Sequence, residues 1–191
     1  MRPATLALAA VLALALVPDV AAGQSAEERS FEMEGETLRY TLRTHPADAH
    51  RFDPAARLSP GSALDTAKLL NRHLTAGELE DAALLSNSPK RRYEVLKEYQ
   101  EELGEEEFRR VFAQYFYREN RIAAEIAIGA HTLLIWHLAQ TDRYAGLFFM
   151  EIEGRALIDD VPSETRSQLR RLLEAYRSGA LGIAPIEALP R

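Results

Sequence analysis

The chain has 191 residues, 47% of them hydrophobic and 27% charged, which excludes a disordered chain and suits one domain with additional segments. Its formal net charge of −6 argues against nucleic acid as a partner, because phosphate binding needs a basic footprint. The absence of cysteine excludes disulfides and a lipoprotein-type leader.

Residues 1–22 read as a secretory signal peptide. Arg2 is the early cation, Ala4 to Val17 is apolar but for Thr5, Pro18 ends the run, and Val20 and Ala22 occupy the small-residue positions before a cleavage site. Cleavage is expected after Ala22, with the mature chain starting near Gly23. The run is too short for a stable membrane anchor. Removing Arg2 and Asp19 together leaves the net charge unchanged. An exported chain without cysteine and rich in alanine and arginine points to a bacterial periplasmic or secreted protein.

Residues 23–61 read as a hairpin and a linker. In "SFEMEGETLRYTLR", Phe31 and Met33 are expected on one face and Leu38, Tyr40 and Leu42 on another, with Gly35 at the turn. "THPADAHRFDPAARLSPGS" carries Pro46, Pro54, Pro60 and Gly61 without periodicity and reads as a loop.

Residues 62–178 read as a single α+β domain, with 179–191 a C-terminal tail. Ser62 is the expected N-cap of a helix carrying Leu64, Ala67, Leu70 and Leu74. Thr75 and Glu78 have capping-box spacing. Ser88, Pro89 and Gly104 bracket a third helix, whose inward stripe is predicted as Tyr93, Leu96, Tyr99 and Leu103. Three glutamates then open a helix with Phe108, Val111, Phe112 and Tyr115 facing inward. From Arg121 the pattern changes to strand-like runs at Ile122–Ile128, His131–Ala139, Ala145–Ile152 and Ala156–Asp159, joined by short turns at Gly129, Gln140–Tyr144 and Gly154. A last helix carries Leu169, Leu172, Leu173 and Tyr176 and stops at Gly179.

Helices followed by an antiparallel meander define an α+β fold. That order over residues 62–160, with the run "GLFFMEIEGRALIDD", resembles the NTF2-like superfamily. The resemblance implies a cone, with N-terminal helices packed on a curved antiparallel sheet. The hairpin and the C-terminal helix are additions to that pattern, which usually ends on a long strand. It also implies a route to activity, because isomerases and dehydratases of that group move protons with an Asp or His inside the cone. Glu125, Glu151, His137 and Tyr144 are the polar residues that would fall in or near it.

Residues alternate faces along "IGAHTLLIWHL". His131, Leu133, Ile135 and His137 point one way, and Thr132, Leu134, Trp136 and Leu138 the other. Six strand steps cover roughly 20 Å, so the two histidines cannot share a metal ion. Trp136 is expected in the core or at a pocket wall. The strands are apolar on both sides, so both faces of the sheet should be covered, by helices on one and by the C-terminal helix, the hairpin or a second copy on the other. His45, Asp48, His50 and Asp53 supply metal-type donors at no recognised spacing. Lys90, Arg91 and Arg92 stand in a first helical turn, where an anion site competes with a solvated face pairing Lys90 with Glu94. Tyr115, Phe116 and Tyr117 are consecutive and cannot all face inward.

The candidate pocket or binding residues are Trp136, His137, Tyr144, Glu151 and Tyr115. No catalytic residue, metal ligand or cofactor is assigned. The expected function is an exported, non-catalytic binding or interaction protein, with a small ligand, a protein or a second copy as partner and no membrane anchor. The alternatives are a small NTF2-like enzyme using a carboxylate or His in the cone, and an inhibitor or immunity-like protein against a basic exported enzyme. A flat, acidic, aromatic-bearing surface would favour the binder; an enclosed pocket with a titrating Glu or His would favour the enzyme.

Overall fold

The computed structural model describes residues 26–33, 35–53 and 57–183. The expected leader lies outside them. The described residues form an α+β fold with a six-stranded antiparallel sheet and five helices. No described helix is long and apolar enough to cross a membrane.

The sheet runs β1 (Ala26–Met33), β2 (Glu36–Arg43), β3 (Arg121–Ile128), β4 (His131–Leu138), β5 (Arg143–Ile152) and β6 (Arg155–Ile158), each strand beside its sequence neighbour. The helices α1 (Ala63–Ala76), α2 (Leu79–Ala83), α3 (Pro89–Leu103) and α4 (Glu105–Ala113) lie between β2 and β3, and α5 (Glu164–Arg177) follows β6. The β5–β6 turn has Glu153 and Gly154 both at positive φ between the paired Ile152 and Arg155, the backbone of the two-residue turn that matches strand twist.

Both faces are covered, as the two-sided apolar pattern requires. On one, Leu133 and Ile135 of β4 pack with Leu38, Tyr40 and Leu42 of β2, Ile126 of β3, and Leu169, Leu172, Leu173 and Tyr176 of α5. On the other, Leu134 and Trp136 pack with Leu70 and Leu74 of α1, Leu96 of α3 and Phe108 of α4. A register shift between Ile122 and Ala124 in β3 puts Ile122 with the helical layer and Ala124 with α5. At Gly146 a Cβ would stand 2.4 Å from Leu173 Cδ2 and 3.2 Å from Leu133 Cδ1, so glycine lets α5 approach β5 closely.

Several details differ from the sequence reading. Phe31 lies opposite Leu38, and Arg29 opposite Tyr40. Phe31 and Met33 therefore share the face of Leu38, Tyr40 and Leu42, since directly opposed residues project to the same side. No capping box forms at Thr75. α1 continues through it to Ala76, its hydroxyl donates to the Asn71 carbonyl at 2.7 Å, and α2 starts after Glu78 without a side-chain cap. Ser62 does cap α1, its Oγ accepting from the Asp65 amide at 3.1 Å. Ser88 stands at the N-cap position of α3, but makes no side-chain cap bond. Leu181 and Ile183, read as tail, pack against the α5-side core.

Candidate functional site

The five residues singled out from sequence are divided by the sheet. Trp136 is fully buried on the helical side, with the Tyr115 ring edge-on at 5.5 Å and the His50 ring at 6.4 Å. Its indole N–H has no hydrogen-bond acceptor among the described residues. Burial pushes the Tyr115 hydroxyl above its usual range. His137 and Tyr144 are together on the α5 side, rings 4.9 Å apart, with Tyr176 against Tyr144 at 5.2 Å. The His137 Nε2 bonds the exposed Asp142 carboxylate at 2.9 Å. Burial, then the neighbouring Tyr144, pushes the Tyr176 hydroxyl up to about 12. Glu151 is exposed at the end of β5. The residues form two separate aromatic contacts, one on each side of the sheet, and one solvated carboxylate.

The loop after β2 brings two histidines inward to different partners. His45 Nε2 is 2.8 Å from Glu125 Oε2, and Arg43, opposite Glu125 in register, reaches Oε1 at 3.0 Å. His50 is wholly buried and its Nε2–H donates to the Tyr117 carbonyl at 3.1 Å. Burial pulls the His50 pKa below the ordinary imidazole range. Each ring is committed to a separate protein acceptor, so they do not converge on one ion.

Sequence reasoning missed a polar network at the far edge of the sheet. The buried Asp159 carboxylate accepts from Asn87 Nδ2 at 2.8 Å and from His131 Nδ1 at 3.0 Å. Next to it, Asp160 accepts from Ser86 Oγ at 2.6 Å and from Arg92 Nε at 2.8 Å. The Asn87 amide also donates to the Ile158 carbonyl, so the α2–α3 connection is sewn to the end of β6. Because a carboxylate only accepts, the proton on neutral His131 sits on Nδ1 and Nε2 is the basic atom. The available signal was the pair Asp159–Asp160 ending an apolar run, where carboxylates need partners.

Among the described residues, one group offers three potential metal donors. His73, Glu78 and Asp81 have ligand atoms within 4.8 Å of one another, both carboxylates being exposed. His73 Nδ1 already bonds Glu78 Oε2 at 2.6 Å. The helix dipoles account for this pair, with an imidazole in the last turn of α1 and carboxylates at the start of α2.

The surface of α3 departs most from what helix stability alone favours. Of its fifteen residues only Leu96 is buried. Val95, Tyr99 and Leu103 are 49%, 36% and 36% exposed, where the sequence placed Tyr99 and Leu103 inside. The reason is partner choice: Tyr99 leans its ring edge on Phe108 and Phe112 of α4, and leaves its other side open. Glutamates dominate around this row. Residues 94–107 hold seven glutamates against Lys97 alone. The α3 ends oppose its dipole, with no acidic residue in the first turn and no basic residue in the last. Lys90 and Arg91 are exposed, Arg92 pairs with Asp160, and Lys90 does not pair with Glu94. At the α3–α4 elbow an open depression of about 450 Å³ is lined by Leu103, Gly104, Glu105, Glu106, Glu107 and Arg110. No known protein family, curated protein or solved structure matches the chain.

Proposed function

We propose that the protein is an exported binding protein that acts through contact with a partner rather than through chemistry. One observation carries this reading: α3 exposes an apolar row, Val95, Tyr99 and Leu103, on an acidic face. Isolated exposed apolar residues are ordinary, but three in one row at four-residue spacing form a contiguous strip that water solvates poorly. Export is supported by the leader chemistry of residues 1–22. The order of four helices followed by a meander supports the NTF2-like likeness, with the helical layer on one side of the sheet and α5 as an addition on the other. An inhibitor-like role against a basic protein is the form of this reading that the acidic face favours.

The test is capture from the native envelope fraction with the mature protein and with a Val95→Asp/Leu103→Asp variant of equal melting temperature. The expected result is a stoichiometric partner held by the parent and lost by the variant. Recovery of the same partner by both would refute the assignment to α3.

A second reading, a small enzyme, is favoured by the His131–Asp159 pair alone. A buried carboxylate orienting an imidazole through Nδ1 leaves Nε2 basic, the arrangement of a general base. His131→Gln would abolish turnover of any substrate found while leaving partner capture intact.

A further inference from the structure

Deepening the reading of α3 as a binding face, we infer that its partner is a basic amphipathic α-helix of another protein. That helix sets apolar side chains against Val95, Tyr99 and Leu103 and lysine or arginine side chains against Glu94, Glu98 and Glu102. Residues four apart on a helix form a ridge. α3 therefore carries two adjacent ridges, one apolar at 95, 99 and 103 and one acidic at 94, 98 and 102. The acidic ridge is uncompensated. Lys97 pairs with Glu101, Arg109 with Glu105 and Arg110 with Glu107, whereas Glu94, Glu98 and Glu102 make no ion pair among the described residues. Like charges four apart destabilise a helix, and carboxylates toward its C-terminus oppose the dipole. Both costs are relieved when a cationic ridge settles on them.

The same features exclude other occupants. A second copy of this face would set glutamates against glutamates. The chain's own segments outside the described residues, 1–25, 34, 54–56 and 184–191, contain only Arg2 and Arg191 as cations, too few for a basic ridge. Phosphate polymers and anionic lipid surfaces are repelled by seven clustered glutamates. An α-helix fits because its own four-residue ridges mesh with those of α3, at a crossing angle near −50°.

The experiment titrates the full mature protein against a labelled eighteen-residue leucine/lysine helix, its leucines four residues apart beside a lysine row, read by fluorescence anisotropy. The control peptide has glutamate in place of every lysine. The lysine peptide is expected to bind at least roughly tenfold more tightly than the control and to weaken with added salt. E98K/E102K, at exposed positions, is expected to weaken it roughly tenfold without lowering the melting temperature, since the change relieves the glutamate repulsion and suits the helix dipole. E151K/E153K, an equal charge change at exposed positions on the β5–β6 end, is expected to leave affinity within about twofold. Equal binding of the two peptides, an unchanged affinity in E98K/E102K, or an equal loss in E151K/E153K overturns the inference. Should the lysine peptide fail while envelope capture still depends on Val95 and Leu103, the helix inference falls and the binding role stands. Failure of both removes both.

Discussion

Trp136→Ala separates packing from function on the central strand. Trp136 is the only tryptophan in the chain and is fully buried. The Tyr115 and His50 rings lie nearly perpendicular to it at 5.5 and 6.4 Å, and the apolar side chains of α1, α3 and α4 pack around it. Its N–H has no acceptor among the described residues, so truncation forfeits packing rather than a hydrogen bond. Emptying such a site costs about 3–5 kcal/mol. For a domain of this size each kcal/mol moves the melting temperature by about 2–4 °C, giving a fall of roughly 6–20 °C. His137, one residue on and facing the other way, is the control. Its Asp142 partner has a side chain 90% exposed, and such a pair contributes about 0–1 kcal/mol. The stacking on Tyr144 adds about 0.5–1.5 kcal/mol. His137 is itself buried, and the two contributions together give about 0.5–2.5 kcal/mol, so His137→Ala should lower the midpoint by roughly 1–10 °C, less than Trp136→Ala. Circular dichroism melts of both variants decide the matter, since the tryptophan variant has lost its fluorophore. Equal destabilisation by the two would show that His137 is as structural as Trp136, and would refute the smaller packing loss assigned to the histidine.

Other consequences follow from the same geometry. His50 has a folded pKa below its unfolded value, with burial the main cause, so below about pH 6.5 the unfolded chain binds a proton the folded one resists. Stability should fall as pH drops through that range, and urea midpoints in His50→Gln, corrected for its own cost, should lose part of that slope. Tyr176 has the opposite linkage: with a folded value of about 12 against about 10 unfolded, stability is intact below pH 10 and falls on the order of 2–3 kcal/mol toward pH 12. Tyr176→Phe should flatten that alkaline limb in a pH series of denaturant midpoints. Gly146→Val should cost about 1–3 kcal/mol by forcing Leu173 and Leu133 aside, and an unchanged urea midpoint would show that α5 moves freely on β5. Asp159→Asn places an amide where a carboxylate accepted from both Asn87 and His131, and should cost about 1–3 kcal/mol in the same assay.

The meander was legible because period-two alternation and short glycine turns act locally. Gly129 and Gly154 adopt the positive φ that their turns need. Two-sided coverage was legible for a related reason, since a strand such as "LLIW" has no polar face to leave wet. The polar partnerships were not legible. His45 with Glu125, His131 with Asp159 and Arg92 with Asp160 join residues 80, 28 and 68 positions apart, and no local pattern encodes such pairings. Four of the five candidate residues came from β4 and the chain just after it, and Tyr115 from the aromatic run that ends the helices, but alternation along β4 sends Trp136 and His137 to opposite layers, which separates them whatever their proximity in the chain.

α3 shows why periodicity alone misread the most informative surface. Tyr93, Leu96, Tyr99 and Leu103 satisfy a helical stripe, and the pattern says only that these residues share one side, not what covers it. In the fold Leu96 alone reaches the core, because α4 turns back at Gly104 and engages Tyr99 from the flank through Phe108 and Phe112. The strip left over coincides with unpaired glutamates and with charges reversed against the helix dipole. Each feature alone is a tolerable local fault. Packing, side-chain pairing and dipole all failing along one side of one helix is harder to sustain by chance, since surface positions are otherwise free to change toward stability. A partner that supplies apolar and cationic side chains corrects all three at once, and that coincidence makes α3 the place to look for what the protein binds.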